Sequence, residues 1–139
     1  MLQIEHIGIA VSNLANAIPL YATLLNTPCY KTETVESEQV ETAFFAVGIN
    51  KIELIQSTTP NGVIANYIAK KGEGIHHIAF TVNDIVAEMQ RLKNKGFVLL
   101  NETPKRGADN KLVAFVHPKS TNGVLIELCQ EVCKKNDTL

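Results

Sequence analysis

Four side chains in this 139-residue chain could share one piece of chemistry: His6, Glu53, His77 and Glu127. His6 lies in Ile4-Glu5-His6-Ile7-Gly8-Ile9-Ala10-Val11, an apolar alternating run followed by Ser12-Asn13. The arrangement returns 71 residues later as His77-Ile78-Ala79-Phe80-Thr81-Val82, followed by Asn83-Asp84. Glu53, in Lys51-Ile52-Glu53-Leu54-Ile55-Gln56, is echoed by Glu127 in Val124-Leu125-Ile126-Glu127-Leu128-Cys129-Gln130. Each half thus carries one histidine near its beginning and one glutamate near its end. A carboxylate in the middle of an apolar strand is costly unless paired, protonated or metal-bound. Two imidazoles and two carboxylates suit a borderline divalent ion, Co²⁺, Ni²⁺, Zn²⁺ or Mn²⁺, with positions left for water or substrate. The residues alone leave a second arrangement open, in which each histidine is a satisfied core residue and each glutamate faces solvent on an edge strand.

Alternation decides which neighbours share a face. His6, Gly8 and Ala10 point one way along their strand, and His77, Ala79 and Thr81 along theirs. Gly8 and Ala10 are small, which leaves room beside the His6 imidazole. The elements that must hold these residues follow from periodicity. Residues 3–11 read as a strand, and Ser12 or Asn13 caps a helix with Leu14, Ala17, Ile18, Tyr21 and Leu25 on one face. Pro19 inside that pattern implies a bend or an offset start. Strands follow at 29–35, 40–47 and 51–56. A short helix from Val63 to Lys70 stops at Gly72. The second half repeats the order: strand 75–82, a helix with Ile85, Met89 and Leu92 on its buried stripe, then strands 97–100, 112–117 and 124–130. Thr103 to Lys111 reads as a loop, and the polar last nine residues as a frayed end.

The fold class is therefore α+β. Two βαβββ modules, about 3–57 and 75–130, are joined by a short helical linker, 58–74, in a single domain over 1–139. A four-stranded unit with one helix cannot bury both sheet faces, so the two pair into an incomplete barrel with helices outside and a metal cleft inside. The chain is 45% hydrophobic with a formal net charge of −1, which supports a core and gives nucleic acid or an anionic membrane no electrostatic attraction. No apolar run approaches the roughly 18 residues of a membrane span, and no basic-then-apolar signal opens the chain. Cys29, Cys129 and Cys133 form an odd set without a CxxC, which fits free thiols in a reducing cytoplasm.

The segments His6-Ile7-Gly8-Ile9-Ala10-Val11, Lys51-Ile52-Glu53-Leu54, Gly72-Glu73-Gly74-Ile75-His76-His77-Ile78-Ala79 and His117-Pro118-Lys119, the last leading to Gly123-Val124-Leu125-Ile126-Glu127-Leu128, carry a more specific likeness. In this order they resemble the vicinal oxygen chelate superfamily and, within it, the methylmalonyl-CoA epimerase family. The resemblance implies His6, Glu53, His77 and Glu127 as ligands of a divalent metal ion, an acyl-CoA substrate and a homodimer. It also implies epimerisation at C2 through a metal-stabilised enolate. Inverting that centre needs one group to take the proton from one face and another to return it to the opposite face. Glu127 is the first such group, doubling as a ligand. Some family members carry a glutamate where Thr42 stands, and threonine is no general base at neutral pH. Glu41 is one residue off that position and faces the other side. Glu53 is therefore the preferred second carrier, with a group near Thr42 as the alternative.

Other residues have more modest readings. His76 must face away from His77 on a regular strand, so it supports the site from behind, contacts a helix or is structural and is not a ligand, and His117 stabilises the turn at Pro118. Lys119, by its place in the motif, is a candidate for meeting the substrate's carboxylate or phosphates. Glyoxalase I would use the same four side chains, and a binding or resistance protein of the same fold would need no catalysis.

Overall fold

The computed structural model describes residues 1–132. The first half runs β1 (Gln3–Ala10), α1 (Leu14–Leu25), β2 (Lys31–Val35), β3 (Val40–Val47) and β4 (Asn50–Ser57), and α2 (Val63–Lys71) links the halves. The second half runs β5 (Gly74–Thr81), α3 (Ile85–Asn94), β6 (Lys105–Arg106), β7 (Lys111–Val116) and β8 (Ile126–Glu131). All eight strands form one mixed sheet in the order β2-β3-β4-β1-β5-β8-β7-β6. Exchanging the halves reverses this order onto itself. β1 and β5 meet antiparallel at the centre, while β1 pairs parallel with β4 and β5 with β8. The sheet curls into a half-barrel with three helices, the α+β architecture expected from the sequence.

The repeat extends to how the helices are tied down. The side chains of Asn13 and Asp84 accept from Asn16 N–H and Ala87 N–H at the starts of α1 and α3. Gln56, near the end of β4, accepts from Leu14 N–H at 2.6 Å, and Gln130, on β8, accepts from Ile85 N–H at 2.8 Å. Each helix start is thereby fixed to the strand that carries its module's glutamate, because its first N–H groups have no helical acceptor. Leu14 and Ala17 of α1 pack with Ile18, Tyr21 and Leu25 on Ala43, Phe45 and Leu54. Ile85, Met89 and Leu92 of α3 pack on Ala114, Val116 and Leu128. These cores cover the convex face. Ile64 of α2 packs with Ala10, Val40 and Ile55 on the opposite, concave face.

Three local expectations change. α1 continues through Pro19, which is exposed, as is Ala15, so the carbonyl left without a donor can turn to water. Residues 97–100 form no strand: Val98 N–H donates to Ser120 Oγ, and only Leu99 bridges to Val116. The stretch read as a loop instead supplies β6 and a 3-10 turn, Ala108–Asn110. Cys29 and Cys129 are free. Cys133 and residues 133–139 of the expected frayed end lie outside the described residues. Among the described residues, no helix is long and apolar enough to cross a membrane.

Candidate metal centre

The register explains how four residues far apart in sequence converge. Glu53 on β4 pairs with Gly8 on β1, which pairs with His77 on β5. His6 on β1 pairs with Ala79 on β5, which pairs with Glu127 on β8. Two rows therefore cross the sheet, each with a small residue between a glutamate and a histidine. The small residue gives the imidazole room to lean inward. An added Cβ at Gly8 would overlap Cε1 of His77 and lie 2.5 Å from its Nδ1 and 2.7 Å from its Nε2. The space at Gly8 thus serves His77, not His6 as the strand pattern implied. Gly8→Ala is expected to push the His77 ring aside and to weaken binding of a divalent ion roughly 10- to 100-fold, comparable to the loss of a residue supporting a ligand. Titration with Co²⁺ checks this, and unchanged affinity would show that the ring has another place to go.

The four side chains are buried, each between 4% and 7% exposed. His6 Nε2 and His77 Nε2 lie 3.0 Å apart, with the rings nearly perpendicular. Glu127 stands 3.4 Å from His6 Nε2 through one oxygen and 3.7 Å from His77 Nε2 through the other. Glu53 Oε1 is 3.8 Å from both. Donors bound to one ion at about 2.1 Å are about 3.0 Å apart at right angles and about 3.4 Å apart at the tetrahedral angle. The set fits a divalent ion. Among the described residues, donor atoms of His6, His77 and Glu127 all lie within 4.8 Å of one another; Glu53 is outside that group, its 3.8 Å contacts being longer than either Glu127 separation.

Two irregularities in the β1–β5 pairing add residues that alternation conceals. Between Ile4 and His6 the extra residue on β1 is Glu5, and between Gly8 and Ile9 the extra residue on β5 is His76. Each sits immediately before a histidine of the centre and meets its Nδ1. Glu5 Oε1 is 3.2 Å from His6 Nδ1, and His76 Nδ1 is 2.9 Å from His77 Nδ1. His76 does not face away from His77, because the bulge breaks the alternation. As expected of a residue supporting the site or touching a helix, it is in contact with His77 and with Tyr67 of α2, and it is not among the grouped donors. His76 lines the cavity beside His77 and stacks edge-on against Tyr67. Lys51 Nζ in turn reaches Glu5 at 3.3 Å and Asp109 at 3.0 Å.

Burial works against charge on every group here, and neighbours decide the outcome. Burial pulls His6 down, but the Glu5 hydrogen bond and the Glu127 and Glu53 charges outweigh it and raise His6 to about 9. Burial, with the His6 and His76 charges, holds His77 well below the usual range, and burial takes His76 to about 4. Burial pushes Glu53 up, and pushes Glu127 up to about 8. Burial also raises Glu5, but the His6 hydrogen bond and the Lys51 charge prevail and leave it lowered. A raised folded-state value gives stability at low pH that disappears as pH rises through it. Above pH 7 the lowered histidines are largely neutral in folded and unfolded chains alike, so His6 and Glu127 dominate. The ion-free protein is accordingly expected to melt at progressively lower temperature from pH 7 to pH 9. An excess of Co²⁺ should reverse the trend, since ligands that have lost their protons bind the ion better. A flat ion-free profile in calorimetry would contradict these assignments.

His77, Glu53 and Glu127 line a cavity of about 340 Å³ on the concave face, with Thr42, Phe115 and Lys105 also on its wall. Thr42 is buried and its hydroxyl donates to the Glu33 carbonyl at 3.3 Å. Lys119 lies exposed on the 3-10 turn Pro118–Ser120 and is not part of the wall. The lysine there is Lys105, paired with Glu38 at 2.6 Å. His117 Nδ1 accepts from Lys119 N–H within that turn, a local structural role as expected.

Residues 5–115 match the profile of the Glyoxalase/Bleomycin resistance protein/Dioxygenase superfamily. The chain is 40% identical to protein YqjC of Bacillus subtilis, over 94% of this chain and 93% of that protein. It is 37% identical to the ethylmalonyl-CoA/methylmalonyl-CoA epimerase of Cereibacter sphaeroides, over 92% and 97% respectively. A solved structure of methylmalonyl-CoA epimerase in complex with methylmalonyl-CoA and NH4+ superposes with a TM-score of 0.91. That chain is 31% identical to this one, and the superposition covers 96% of each.

Proposed function

The chain belongs to the glyoxalase/bleomycin resistance protein/dioxygenase superfamily, and on that premise we propose that it is a metal-dependent methylmalonyl-CoA epimerase. The observation that supports this reading best is the position of the two carboxylates. Glu53 on β4 and Glu127 on β8 stand on the strands either side of the central β1–β5 pair that carries the histidines, and both line the same cavity. Epimerisation needs this pairing, because a proton must leave C2 on one face and arrive on the other. His6, His77, Glu127 and Glu53 would hold the ion, which when bound supplies Lewis acidity toward the thioester oxygen.

The residues divide the proton work. Ionised Glu53 takes the C2 proton, and the electron pair of the C2–H bond passes into the enolate. Glu127, in its protonated form, gives a proton to the opposite face, which leaves Glu53 protonated and Glu127 ionised. The reverse direction exchanges the roles, leaving one proton on the pair after each turnover. Apolar walls, among them half-buried Phe115 and buried Ile55, keep bulk water from delivering protons indiscriminately.

The test is incubation of either methylmalonyl-CoA epimer in deuterated water with Co²⁺-loaded protein. Interconversion with deuterium incorporated at C2 is expected. Binding without exchange would leave a binding protein, and turnover of the methylglyoxal–glutathione hemithioacetal in its place would make the chain a glyoxalase I.

A further inference from the structure

The bulge at Glu5 begins a chain of polar contacts that leaves the first module. Glu5 is 6% exposed and accepts on one side from His6 Nδ1 and on the other from Lys51 Nζ. Lys51 Nζ also donates to Asp109 Oδ2 at 3.0 Å. Asp109 belongs to the 3-10 turn of the second module and is anchored twice more: Lys31 Nζ donates to its Oδ1 at 2.9 Å, and its own N–H donates to Glu33 Oε1 at 3.0 Å. It holds a left-handed backbone, φ 58°, which a non-glycine residue adopts at a cost and keeps when its surroundings fix it. The neighbouring Gly107 and Ala108 line the cavity.

An imidazole can present Nε2 to an ion only if its proton sits on Nδ1, and a carboxylate at Nδ1 both fixes that tautomer and sets the ring's direction. A carboxylate held between an imidazole and an ammonium group has little freedom to swing away. We propose that Glu5 is a positioning residue for His6, and that Asp109 acts on it through Lys51, so that the cavity-wall turn of one module sets the metal affinity of a histidine in the other. This inference rests on the metal-centre reading above and not on the identity of the substrate.

Equilibrium binding of Co²⁺ to the full chain tests it, read as a dissociation constant and as the visible d–d spectrum. Glu5→Gln is expected to weaken binding 10- to 100-fold and to shift the bands, as a misdirected ligand does and a merely less stable protein does not. Asp109→Asn, on the half-exposed turn, avoids disturbing the core and is expected to weaken binding severalfold. The double variant should bind no more weakly than Glu5→Gln alone, because the two act along one path. Unchanged affinity and spectrum in Glu5→Gln, or losses that simply multiply in the double variant, would overturn the proposal. Wild-type protein that takes up no Co²⁺ would instead remove the metal-centre reading beneath it.

Discussion

Glu127→Gln is expected to lower interconversion of the methylmalonyl-CoA epimers by about 10³-fold or more, within the range assigned to a positioned acid–base group. Glutamine keeps the volume and one oxygen acceptor but cannot carry the proton. It also removes a negative charge 3.4 Å from His6 Nε2, so Co²⁺ affinity should fall as well. Saturating metal separates the two effects: the chemical defect persists when the site is full. Glu53 is left intact in this variant. It should still remove the proton from the epimer that presents C2–H toward it, so deuterium enters that epimer alone without inversion. Wild-type interconversion in Glu127→Gln, with metal bound, would take Glu127 out of the proton path.

The duplicated pattern was legible because the relevant spacing survives in single residues. His6 and His77, Asn13 and Asp84, and Gln56 and Gln130 occupy matching places, and period-2 alternation puts the site residues on one face of the sheet. Alternation also sets the limit. A bulge adds one residue without changing composition, so nothing in Glu5 or His76 announces that it sits on the extra position. Parity placed His76 away from the centre and gave Glu5 no part in it, whereas the bulges bring both to a histidine Nδ1. Lys105 and Lys119 show a second limit. Each stands in a basic loop, and only closure of the half-barrel decides that Lys105 reaches the cavity wall. The strand expected at 97–100 shrinks to a bridge at Leu99, with side chains taking the next backbone donors on either side, Ser120 the Val98 N–H and Asn101 the Phe115 N–H, a competition invisible in local propensity.

The same closure bears on the second proton carrier. Thr42 is on the cavity wall, but its hydroxyl is committed to the Glu33 carbonyl. Glu41 pairs with Gln56 and is not on that wall. Glu53 is the other carboxylate facing Glu127 across the histidines, and burial raises it too. Burial is the main cause that raises Glu127, with charge on Glu53 adding to it against the lowering effect of His6. Glu53→Gln removes that charge. It should reduce epimerisation by about 10³-fold yet leave Co²⁺ bound, because Glu53 is the outermost donor at 3.8 Å and glutamine retains an oxygen. Glu127 is then the carboxylate left on the cavity wall beside the histidines to act as base. Deuterium should then enter the epimer opposite to the one labelled by Glu127→Gln. Opposite-handed exchange in the two variants is the signature of carboxylates working on opposite faces of C2. The same epimer labelled in both variants, or full activity in Glu53→Gln, would require the second proton to come from another group.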